Sequence, residues 1–175
     1  MNLHKVDVKK ILYATDLSES ARYAYAYAVS LADLYGAQIT LMHVLSEIPD
    51  LLDKQVLGYI DADRWEEIKA QHFEEARDAL IGKRRDHLAV KDVLQQFSDN
   101  ATEGQGVGSD QIIVERGNPV KKIIEHSKKE KFDLIVMGTH GHGTLEDAMI
   151  GSTARRVVRR SKIPVLVVRL PEAGD

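Results

Sequence analysis

Three glycines, Gly138, Gly141 and Gly143, follow the apolar run Leu134, Ile135, Val136 and Met137, and Gly151-Ser152-Thr153 comes shortly after. An apolar run of that length suits a strand buried on both faces. Glycines let the backbone after it turn sharply and come close to a ligand. Strand, glycine loop and helix in that order make an anion site, because unpaired amides and the helix dipole both favour phosphate. The chemistry on offer is phosphate binding through the backbone.

Two common phosphate motifs come near this pattern and miss. Gly138 and Gly143 are spaced as in a P-loop, but Thr144 stands where the lysine belongs. Gly141-x-Gly143 lacks the third glycine of the dinucleotide fingerprint, with Glu146 in its place. The spacing that remains is Gly138-x-x-Gly141, nine residues, then Gly151-Ser152. The competing reading is a plain turn. His140 and His142 invite a metal, but no carboxylate stands at ligand spacing, so a nucleotide-edge or solvent role is expected and no metal site. Arg155, Arg156, Arg159 and Arg160 could grip phosphate or nucleic acid, but such a run more often reads as a solvated helix face, the last two suiting a helix C-terminus. Gly104, Gly106 and Gly108 follow no strand and read as loop.

Composition narrows the classes. A chain of 175 residues fits one domain, with room for a substantial core. Its net charge of −3 argues against a nucleic-acid protein, whose footprint is usually basic. There is no cysteine, which excludes a disulfide scaffold and a Cys-ligated metal and suits a reducing compartment. No stretch has the form of a signal peptide or the apolar length of a membrane span, so no membrane partner and a cytoplasmic location are expected.

The elements that must position the loop follow in order. Residues 9–16 predict a first strand with a polar tip. Ser18 caps a helix whose apolar positions Ala21, Tyr25, Ala28, Ala32 and Tyr35 recur at helical spacing, and Gly36 stops it. Residues 38–44 predict a second strand, and strand-helix-strand with short links implies a parallel sheet. Residues 63–84 carry a long helical pattern, which Gly82 and the basic trio Lys83, Arg84 and Arg85 end or bend. Leu88, Val90, Val93, Leu94 and Phe97 suggest a further short helix, and 98–110 a polar loop. A third strand spans 111–115. Asn118 and Pro119 open a helix running to about Glu130. After the glycine loop come a helix from about Asp147 to Arg160 and a fifth strand over 163–169, with Pro164 at its entry.

The sequence blocks Ala-Thr-Asp16, Met-His-Val44, Gly117-Asn-Pro119, Val-Met-Gly-Thr-His-Gly141, Gly151-Ser152 and Pro164-Val-Leu-Val-Val168 together resemble the ATP-binding branch of the universal stress protein family. The resemblance covers nearly the whole chain, 1–175, as one domain, with about 46–110 an extended helical and loop segment between strands two and three. It implies an α/β fold, a doubly wound five-stranded parallel sheet of order 3-2-1-4-5 flanked by helices. The crevice where that order reverses is where such sheets bind ligands. The resemblance also implies roles. Thr15, Asp16 and Val44 hold the adenine end, and Met137, Gly138 and His140 lie along the ribose. Gly141, Gly151, Ser152 and Thr153 receive phosphates, and Ala14 stands where many members have proline. The cofactor it implies is ATP with Mg²⁺ or Mn²⁺ held mainly by the phosphates. No catalytic residue is assigned.

A nucleotide-dependent regulatory module with slow or no turnover, acting on an unknown protein partner, is the first expectation. An adenine-nucleotide hydrolase or autophosphorylating protein and a nucleotide-free dimerisation module are the alternatives. The apolar strand Val165–Val168, at a sheet edge in that order, predicts a homodimer.

Overall fold

Residues of alternating side-chain direction build a sheet with apolar residues on both faces. The structure, a computed structural model, describes residues 6–45, 64, 82–101, 109–139 and 150–171. In chain order its described elements are β1 (Lys10–Thr15), α1 (Glu19–Tyr35), β2 (Gln38–Leu45), α2 (Gly82–Ala101), β3 (Ser109–Arg116), α3 (Pro119–Lys129), β4 (Leu134–Gly138), α4 (Ser152–Arg160) and β5 (Val165–Val168). The five strands are parallel in the order β3-β2-β1-β4-β5. The chain winds outward from β1 to β3 and then restarts on the other side of β1 with β4.

One face of the sheet, with Ile11, Tyr13, Ile39, Leu41, Leu45 and Val136, packs beneath α1 and α2. The other, with Leu12, Ala14, Met42, Ile135 and Met137, packs beneath Val120 and Ile123 of α3 and Ala154 and Val157 of α4. That explains the unbroken apolar runs in β1 and β4: alternate residues enter different cores.

Helix ends are fixed by local chemistry. Ser18 Oγ accepts from the Ala21 amide at 3.1 Å, and Gly36 closes α1 in the left-handed conformation at φ 65°. Asn118 Oδ1 accepts from the Lys121 amide at 3.1 Å, with Pro119 in the first turn.

Three sequence expectations need correction. The basic trio after Gly82 lies in the first turns of α2, a helix of 20 residues rather than a short one. The polar segment 98–110 is not loop throughout, since it contains the last turn of α2 and the first residues of β3. Ser98 is buried, its hydroxyl 2.9 Å from the Tyr25 hydroxyl, so a polar letter hid a core position. The last helix begins at Ser152, not near Asp147, because Gly151 is extended (φ −61°, ψ 160°) and Ile150 lies outside the helix. The helical pattern over 65–81, the glycines of 104–108 and the loop of 140–149 lie outside the described residues.

Candidate functional site

The carboxyl ends of β1 and β4 lie side by side, with Ala14 opposite Met137. This is the reversal point of the strand order, with α1 packed on one face of the sheet and α4 on the other, the place where open α/β sheets bind ligands. Thr15 Oγ1 accepts from the Leu17 amide at 3.0 Å, and Asp16 Oδ1 accepts from the Ser18 amide at 3.1 Å. Leu17 between them is fully buried and left-handed at φ 66°. A non-glycine residue there costs about 1–2 kcal/mol, which the two side-chain bonds and the burial offset. Thr15 and Asp16 therefore shape the turn that brings α1 over the sheet. Beneath them the buried His43 donates from Nδ1 to the Thr15 carbonyl at 2.9 Å, which fixes the height of the β1 tip against β2.

On the β4 side, the lack of a side chain at Gly138 serves packing. A Cβ there would lie 2.5 Å from Ser20 Oγ and 2.7 Å from both the Ala21 nitrogen and the Ser20 carbonyl carbon. The strand end thus abuts the first turn of α1, a reason distinct from ligand approach. Thr139, which sequence reasoning passed over, ties the region together. It is buried, its amide donates to the Val168 carbonyl at 2.9 Å, and its hydroxyl lies 3.4 Å from Ser20 Oγ. Its carbonyl accepts from the Gly151 amide at 2.7 Å. A β-branched hydroxyl residue directly after a buried strand was the available signal.

That last bond sets the N-terminus of α4 at the end of β4. α1 and α3 have side-chain caps, whereas α4 begins at Gly151 with no side-chain cap and no acidic residue in its first turn. Amides at an uncapped helix start are donors available to an anion. Gly151 and Thr153 are half-buried and Ser152 is exposed.

The structure thus brings together Ala14, Thr15, Asp16, Met137, Gly138, Gly151, Ser152 and Thr153. Half-buried Val44 lies near the end of β2, one residue beyond His43, which is in register with Thr15. His140 and Gly141 lie outside the described residues. A cavity of about 270 Å³ lined by Lys10, Gln38, Thr40, Gln111, Glu130 and Phe132 opens towards the amino ends of the strands, away from this crevice.

Known proteins share this fold. The family described as the universal stress protein family matches residues 7–169. The chain is 32% identical over 164 residues to universal stress protein MJ0531 of Methanocaldococcus jannaschii, covering 94% of this chain and 84% of that one. It matches the solved structure of the protein MJ0577 with a TM-score of 0.67 and 29% identity, covering 96% of this chain and 100% of the other. A universal stress protein solved in complex with cAMP shares the fold, with a TM-score of 0.61, 22% identity and coverage of 93% and 98%.

Proposed function

The chain belongs to the universal stress protein family, and from that premise we propose that it binds an adenine nucleotide, with ATP as the ligand, across the carboxyl ends of β1 and β4. The observation that carries this reading is the start of α4, uncapped and free of acid, held at the end of β4 by the Gly151–Thr139 bond. Gly141, Ser152 and Thr153 receive the phosphates, whereas Gly151, expected from the sequence to do so, has its amide on the Thr139 carbonyl and instead sets the helix start beside them. Met137, Gly138 and His140 run along the ribose, and Ala14, Thr15, Asp16 and Val44 border the base. A structural neighbour that holds cAMP supports an adenine nucleotide as the ligand class.

No three His, Cys, Asp or Glu side chains converge among the described residues. In this reading Mg²⁺ or Mn²⁺ arrives on the phosphates. Fast phosphoryl transfer needs fixed positive charge on the moving group and a residue that orients water. The loop offers amides for binding, but Thr144 occupies the place of a P-loop lysine. The protein acts in the cytoplasm as a slow or non-hydrolysing regulatory module, its nucleotide state read by a partner protein.

The test is to load purified protein with ATP and Mg²⁺, remove free nucleotide, and analyse the bound fraction over hours. Bound, largely intact ATP is expected. Release of several phosphates per second would make the protein an enzyme, and no retained nucleotide would leave only a dimerisation module.

A further inference from the structure

The outward side of α3 and α4, which pack next to each other on the sheet, is strongly basic. Residues 119–131 and 152–162 contain ten lysines and arginines and two glutamates, in a chain whose net charge is −3. Arg155, Arg156, Arg159 and Arg160 are all exposed, on the side of α4 opposite the buried Ala154 and Val157. Helical spacing sets them in two rows, Arg155 with Arg159 and Arg156 with Arg160, each pair about 6 Å apart along the axis. Among the described residues none of the four is in an ion pair. On α3, Lys121, Lys128 and Lys129 are also exposed.

The needs of the helix do not explain this arrangement. Arg159 and Arg160 in the last turn complement the dipole, but Arg155 and Arg156, nearer the middle of the helix, gain nothing from it. Like charges four residues apart also repel. We infer that this face docks a short acidic segment of a protein partner, whose carboxylates pair with the guanidinium groups. Arginine at all four positions suits this role, because its planar fork matches a carboxylate with two parallel bonds. The two helices are about 15 Å long, room for roughly five extended residues or nearly three helical turns.

Other polyanions fit less well. A bilayer surface needs an apolar face beside the cations, and α4 exposes only Val158 there. Single-stranded nucleic acid is held by stacking on aromatic rings, and neither helix contains Phe, Tyr or Trp. A long duplex would extend past the patch and meet the net acidic remainder of the chain, whereas a short segment stays within a Debye length of the arginines.

The docking is independent of nucleotide and is measured without it, by fluorescence anisotropy with a labelled peptide of about eight glutamates. Binding that weakens as salt rises from about 50 to 200 mM is expected. The variant Arg159→Gln/Arg160→Gln should bind at least about tenfold more weakly, with an unchanged thermal midpoint. Arg159→Lys/Arg160→Lys, which keeps the charge and loses the fork, should fall in between. The inference is overturned if the parent does not bind the peptide at low salt, or if the glutamine variant binds as well as the parent. Tighter binding to a charge-matched oligonucleotide or to phosphatidylserine vesicles would equally overturn it.

Discussion

A Cβ on Gly138 would press against the Ser20 and Ala21 backbone, which cannot rotate aside as a side chain can. Gly138→Ala should therefore lower stability by about 1–3 kcal/mol, the usual cost of overpacking, in protein free of nucleotide. An unchanged urea midpoint would show that α1 shifts freely. Asp16 tests the other strand tip. Its carboxylate shapes the turn through Ser18, and the proposed function gives it the adenine edge as well. Asp16→Ala should weaken ATP binding by about 1–3 kcal/mol, as expected for a lost hydrogen-bond partner. Calorimetry with ATP and GTP separates the two roles, since equal loss for both nucleotides would leave only the turn. The sequence made Asp16 visible as a polar tip after an apolar strand. It could not reveal the Leu17 conformation or the Gly138 contact, because both depend on where α1 packs.

Among the elements, α2 and α3 carry the clearest tests. α2 is anchored on α1 by Tyr25, whose ring lies 5.0 Å from that of Phe97 and whose hydroxyl meets Ser98. Tyr25→Phe should cost about 1 kcal/mol by removing a buried hydrogen bond, read by urea denaturation. Glu115 on β3 joins α3 through Lys122 at 2.6 Å and the His126 Nε2 at 2.5 Å. The Lys122 ammonium is the main cause holding the Glu115 carboxyl below its ordinary value of 4.5; burial opposes this and His126 assists. A carboxylate with a lowered folded pKa contributes stability above 4.5, which is lost as pH falls from there through the folded value. Parent stability should fall over that range more steeply than that of Glu115→Gln, and parallel curves would contradict the assignment. Strand order and the caps at Ser18, Gly36 and Asn118 were legible because each rests on a local signal or on the resemblance. The length of α2 was not, since Ser98 is polar by type and buried by its Tyr25 partner. The start of α4 was misjudged for a similar reason. Helical periodicity alone does not register an extended Gly151, whose amide is taken by Thr139.

At the scale of the whole molecule, β5 lies at the sheet edge, with β4 as its only strand neighbour among the described residues. Val165, Leu166 and Val167 are only half-buried. An apolar edge with unpaired backbone groups invites a twofold partner. Val167→Lys should shift a homodimer toward monomer in sedimentation, and a parent chain already monomeric at micromolar concentration would exclude this interface. The central claim concerns the crevice at the strand reversal, where the β1 and β4 tips and the start of α4 meet. Titration calorimetry of nucleotide-free protein with ATP and Mg²⁺ tests it most directly. One ATP per chain is expected, with an affinity in the micromolar range, about −8 kcal/mol, weakened when the metal is chelated. Absence of binding by ATP, ADP and AMP to folded protein would contradict the account.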